Sequence, residues 1–206
     1  MTTPATTAVL HPDRLADAYT YQAYRQLIDD LLAEGKTTGP NQSEELTAFT
    51  ELNVQRMHRL DKTVKVQPAL AAAASSLQGH YLWLIITEGW CGDAAQLVPV
   101  MEAVAQASGG HLTTRYVLRD EHPELMEQYL TGGGKAIPKL LVLNPDTLAE
   151  ITHWGPRPAP AQELFRTLKA EGVSHDEFAR QLHTWYAHDH TQATQNELLA
   201  LVQGLQ

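Results

Sequence analysis

The chain has 206 residues, enough for one domain with extensions and for a core that needs no disulfide or metal staples. With 43% hydrophobic residues, 19% charged residues and a formal charge of -9, the composition is that of a folded chain, and its negative balance opposes binding to a nucleic acid backbone. No apolar run approaches about 18 residues, and MTTPATTAVLHPDR has neither the basic-then-apolar order of a secretion signal nor the arginines of a transit peptide, so the expectation is a cytoplasmic protein with no nucleic acid and no membrane partner.

In chain order, TYQAYRQLIDDLLAEG sets Tyr24, Leu27, Ile28, Leu31 and Leu32 at helical spacing, with Gly35 as a stop. After the loop KTTGPNQS, Asn41 to Glu44 has the spacing of a capping box, and Leu46, Phe49, Leu52, Met57 and Leu60 predict a second helix. Residues 1–61 thus read as an N-terminal helical extension. KTVKV then alternates like a short strand, QPALAAAASSL reads as a helix, and YLWLIIT is a continuous apolar run of strand length, which together predict a β-α-β unit. A helix over about 91–107 follows, then strand HLTTRYVL, a short helix around PELMEQYL, strands KLLVLN and LAEITHW joined as a hairpin across Pro145-Asp146, and helix APAQELFRTLKAEG. This α/β alternation over 62–171 predicts a central mixed sheet flanked by helices, and residues 172–206 read as a C-terminal helical extension.

The chain's single cysteine, Cys91, lies in ITEGWCGDAAQ, where the apolar strand gives way to a helix. One cysteine forms no intramolecular disulfide, and an isolated thiol is compatible with a reducing compartment. A thiolate is the nucleophile, and the free N-H groups and positive dipole end of a helix N-terminus favour it. Asp93, in the first helical turn, acts the other way: at ~6 Å its charge opposes the thiolate by roughly 1 to 3 kcal/mol, comparable with the dipole contribution of up to ~2 kcal/mol.

The element order, together with Trp90-Cys91-Gly92-Asp93-Ala94 at the second strand-to-helix junction, resembles the thioredoxin fold, whose WCGPC motif matches here at the tryptophan, the first cysteine and the glycine. Pro99 matches the proline inside the same helix, Ile137-Pro138 before KLLVLN resembles the cis-proline loop, and Gly155 matches a glycine after the hairpin. TEGWCGDAAQ with LRDEHPELMEQYLTGGGKAIPKL is similar to bacterial thioredoxin-like proteins of a single-cysteine WCGDA type. The resemblance implies a monothiol thiol-disulfide exchange with Cys91 as nucleophile, on a protein or low-molecular-weight thiol or disulfide, with no cofactor. It also implies that Trp90 shields one side of the sulfur and that the Ile137 backbone beside a cis Pro138 pairs with an incoming extended peptide.

Two departures weigh on that reading. Ala94 replaces the resolving cysteine, so an external thiol must release a mixed disulfide, and Ile85 stands where thioredoxins carry a buried carboxylate, leaving Asp93 or Glu88 as substitutes. The rival reading is a redox-inactive thioredoxin-fold module that binds a protein partner while Cys91 only packs; iron-sulfur or glutathione binding in the manner of CGFS monothiol glutaredoxins shares only Cys-Gly and ranks last. Elsewhere, Arg119, Asp120 and Glu121 read as a solvated loop at the carboxyl edge of the sheet. Gly132-Gly133-Gly134-Lys135 lacks the spacing of a phosphate loop. His183, His188, Asp189 and His190 are metal-ligand types without ligand spacing, so no metal is expected and the histidines read as solvated, while Trp185 and Tyr186 pack the last helices onto the domain.

Overall fold

The computed structural model describes Leu15 and residues 17–205; the N-terminal stretch read above for targeting signals lies outside the described residues. No helix among those described is long and apolar enough to cross a membrane.

Helix α1 (Tyr21–Ala33) starts at Thr20, whose hydroxyl accepts the Ala23 N-H, and its chain leaves through Gly35 at φ +71°. Its apolar stripe buries Tyr24 and Ile28, and the Tyr24 ring stacks on Tyr116 at 5.5 Å. Helix α2 (Glu44–Thr63) is capped by Ser43, which accepts from Leu46 N-H; the predicted box beginning at Asn41 is therefore displaced by two residues. Glu44 and Glu45 in its first turn and Lys62 in its last complement the helix dipole.

KTVKV is not a strand. Helix α2 runs on through Lys62 and Thr63, closed by Val64 N-H on Leu60 O, and the next backbone groups are taken by a side chain: Gln195 accepts from Gln67 N-H at 2.7 Å and donates to Lys65 O at 3.2 Å. With its ladder groups satisfied in this way the segment becomes a connector to helix α3 (Pro68–Ser75), and the predicted first β-α-β unit loses its first strand.

The sheet has four strands in the order β2-β1-β3-β4, with β1 Tyr81–Thr87, β2 Leu112–Leu118, β3 Lys139–Leu143 and β4 Glu150–Trp154. β1 pairs parallel with β2 and antiparallel with β3, and β3 and β4 form the predicted hairpin. Trp83 to Thr87 and all of β3 are buried, which explains why these two central strands read as unbroken apolar runs, whereas the edge strand β4 is mostly exposed. At the opposite edge, Tyr19 bridges Tyr116 through N-H to O distances of 2.8 and 2.9 Å.

Helix α4 (Gly92–Ala107) crosses the sheet with Pro99 inside it and packs against α2. A short helix α5 (Pro123–Met126) continues into a single tighter turn over Glu127–Tyr129. Helix α6 (Ala159–Glu171) ends at Gly172, φ +66°, and helices α7 (His175–Asp189) and α8 (Gln192–Gln203) complete the described chain. One apolar cluster joins Tyr24 and Met57 of the first helices, the sheet, and Leu182 and Leu198 of the last, so the extensions share the core of the sheet.

Candidate functional site

Strand β1 delivers the chain to the carboxyl edge of the sheet, and Cys91 becomes the N-cap of α4 in extended geometry, φ -79° and ψ 115°. Its sulfur accepts the Ala94 N-H at 3.5 Å, and its thiol donates to the Ile137 carbonyl at 3.4 Å. The Ile137-Pro138 bond is cis, as the resemblance implied, and lies directly against the sulfur. Gly155 sits at φ +110°, where an added Cβ would come 2.5 Å from the Pro138 carbonyl oxygen, so only glycine fits behind this loop.

Cys91 is 8% exposed. Burial, and next the charge of Asp93, push its thiol up to about 12, outweighing the opposing influence of the Ala94 N-H and Arg157. The Ile137 residue is buried as well, and its carbonyl accepts from the thiol.

Behind α4, Asp93 is more than a helix-start residue. Arg157 Nη2 lies 2.5 Å from one carboxylate oxygen, with both side chains 8% exposed, and the Tyr186 hydroxyl donates to the other at 2.7 Å. Burial raises the Asp93 carboxyl above its ordinary value, while the Arg157 charge and the two hydrogen bonds pull it back. Arg157 is held in turn by Gln162 at 3.2 Å and by the Phe165 ring, 4.1 Å from the guanidinium carbon. Tyr186 was expected to pack; it also satisfies a buried charge. Arg157 was not anticipated, since it sits 64 positions beyond Asp93 in a GPRP loop and only the fold brings the two together.

On the other side of Cys91, the fully buried Glu88 accepts hydrogen bonds from the Thr38 hydroxyl and, at 2.9 Å, from Asp120 N-H. Thr38 accepts in turn from Gly89 N-H at 2.9 Å. Burial lifts the Glu88 carboxyl to about 7 despite these bonds. Arg119 lies 4.6 Å over the Trp90 ring and grips Asp120 at 2.8 and 3.2 Å. The segment expected to be a solvated loop is therefore half-buried at Arg119 and Asp120, because Glu88 and Trp90 anchor it; Glu121 alone is exposed. Trp90 packs with Arg119 as well as lining the space in front of Cys91.

That space is a cavity of about 780 Å³, walled by α2 and α7 and floored by Trp90, Cys91 and Gly92. His183 reaches into it from α7. Gln96 Nε2 lies 3.3 Å from His183 Nδ1, and the other ring nitrogen, Nε2, lies 2.6 Å from where a Gly92 side chain would begin. Burial, then the nearby Arg56 charge, lowers the His183 ring to about 4, so it is neutral at pH 7. The expectation of a solvated histidine is thus overturned for His183, which the turns of α7 aim at α4, while His188 and His190 are exposed and Asp189 accepts from Ala193 N-H in the first turn of α8 at 3.1 Å. Among the described residues no three His, Cys, Asp or Glu side chains gather as metal ligands.

A parallel-antiparallel four-stranded sheet, a cysteine capping the central helix and a cis-proline against its sulfur define the thioredoxin-fold class. A family model described as thioredoxin matches residues 39–170, more than half of the chain, and the chain belongs to that family. No curated protein matches it. Among solved structures it is similar to a protein of unknown function from Pseudomonas aeruginosa (15% identity, TM-score 0.55, covering 91% of this chain and 99% of that one). It is equally similar to an HIV epitope scaffold (16% identity, TM-score 0.55, 90% of this chain and 99% of that one). At such identities the likeness is one of fold.

Proposed function

We propose that the protein is a redox-inactive binding module on the thioredoxin fold, with Cys91 as part of the floor of a ligand cavity. The observation that carries this reading is the Cys91 thiol donating to the Ile137 carbonyl from a site only 8% exposed. That geometry favours a thiol over a thiolate: burial withholds water from the charge, the Asp93 charge adds to this, and the carbonyl oxygen accepts the thiol proton. A thiol at about 12 is ionised at pH 7 only on the order of 1 part in 10⁵. Ala94, at the resolving position, is buried and carries no sulfur.

Iodoacetamide trapping at pH 7 tests the reading: Cys91 in folded protein should react at least about a hundredfold more slowly than in denaturant. Equal rates would overturn it. The second reading, exchange at Cys91 with release by an external thiol, is favoured by the placement of the sulfur at the N-cap of α4 beside cis Pro138. Rapid formation of a glutathione adduct on the folded protein, abolished by Cys91→Ser, would establish it in place of the first.

A further inference from the structure

The whole chain carries a formal charge of -9, yet basic side chains predominate around the cavity. Most of them are compensated: Arg157 by Asp93, Arg119 by Asp120, Lys135 by Glu127 and Arg180 by Glu177. Arg56 is the exception. Its Nη1 donates to the neutral Asn53 Oδ1 at 2.7 Å, and no carboxylate among the described residues forms an ion pair with it. Burial lowers its pKa, and the neighbouring Arg59 charge adds to this. A half-buried cation without a counter-charge is a costly arrangement unless a ligand completes it. Asp176, the other acid on the lining, is exposed at the mouth, where water screens it.

A second donor converges on the same point. Arg56 Nη1 and His183 Nε2 lie 3.8 and 2.6 Å from the position a Gly92 Cβ would occupy, so the imidazole packs on the bare Gly92 backbone and the two nitrogens are neighbours on the cavity lining. The Gln96 amide nitrogen can only donate to His183 Nδ1, which puts the proton of the neutral ring on Nε2. Guanidinium and imidazole N-H together offer matched donors for the two oxygens of one carboxylate. Farther out the walls are apolar, with Leu46 and Phe49 on α2, Phe178 and Leu182 on α7, and Leu52 left 47% exposed.

We infer that the cavity receives an apolar molecule bearing a single carboxylate, its head held by Arg56 and His183 above Gly92 and its body lying between α2 and α7. The inference rests on the binding-module reading and specifies its ligand class. A volume of about 780 Å³ suits a small molecule, and pockets for such ligands span roughly 300–1,000 Å³. One cation and one neutral donor match a monoanion, whereas a phosphate dianion would call for more positive charge.

Calorimetric titration of the full chain at pH 7 with sodium decanoate and, separately, decan-1-ol tests it. Decanoate should bind one to one, and Arg56→Gln should weaken it about tenfold or more while leaving decanol unchanged. Leu52→Asp, at an exposed position that folding tolerates, should weaken both ligands. Melting curves of both variants confirm that they fold, and the His183 ring pKa followed by NMR should rise when decanoate is bound. If decanol binds and decanoate does not, or if Arg56→Gln leaves decanoate affinity intact, the carboxylate head is refuted while the binding module stands. If neither ligand binds, the inference is refuted; if Cys91 also reacts quickly with oxidised glutathione in folded protein, the binding-module reading falls with it.

Discussion

Two buried carboxyl groups lie five positions apart on either side of the Cys91 loop, and their surroundings differ. Asp93 faces the C-terminal helices, where Arg157 supplies a full positive charge and Tyr186 a hydroxyl. Glu88 faces the N-terminal segment, where its partners are the neutral Thr38 hydroxyl and the Asp120 N-H. Burial is the largest influence on both carboxyls and raises both, Glu88 to about 7; at Asp93 the guanidinium and two hydrogen bonds oppose it, whereas at Glu88 the opposition comes first from the Thr38 hydroxyl and the Asp120 N-H. Burial sets the direction in both, and the partners differ in kind: an ion pair on one side, hydrogen-bond donors on the other. Cys91 lies between them, and its thiol is held protonated first by burial and next by the charge of Asp93.

The largest effect in this comparison should come from breaking the charged side. Arg157→Gln leaves Asp93 buried without a cation, and urea unfolding should show a loss of about 3–5 kcal/mol. A loss below about 1 kcal/mol would mean that Asp93 simply protonates and that the pair holds little of this region together. Tyr186→Phe removes one hydrogen bond to the same carboxylate and keeps the ring, so a loss of about 2 kcal/mol is expected, with the ion pair intact.

The smallest effect sharpens the neutral side. Because Glu88 titrates near 7 when folded and near its ordinary 4.5 when unfolded, the folded state binds the extra proton between those values. Glu88 therefore costs stability at pH above 7, and that cost is relieved as pH falls toward 4.5. Between pH 7.5 and 5.5 wild type should gain about 1–2 kcal/mol relative to Glu88→Gln, measured as the difference between their unfolding free energies. Parallel pH profiles would show that Glu88 stays ionised and that the two sides of the loop are alike.

Much of this site was legible in the residues, but unevenly. Trp90-Cys91-Gly92 and Ile137-Pro138 were recognisable because their spacing reflects local requirements: a strand ending at a helix start, and a proline before a strand. The cis bond and its contact with the sulfur followed from that resemblance. The Ile137 carbonyl as acceptor did not, because which atoms a cysteine meets depends on the approach of two loops 46 residues apart. KTVKV misled for a related reason. Its alternation is real, yet a side chain from residue 195 takes the hydrogen bonds a strand would need.

By itself the sequence determined the central strands, the helix that begins after Cys91, the β3-β4 hairpin and the absence of a resolving cysteine, since apolar periodicity, helix stops and residue identity are local properties. Only the tertiary structure decided the charge and exposure of the cysteine, the partnership of Asp93 with Arg157 and Tyr186, and the cavity between α2 and α7. Those depend on burial and on electrostatic contacts between residues far apart in the chain, and no local pattern encodes how deeply a group is removed from water or which charge it meets there.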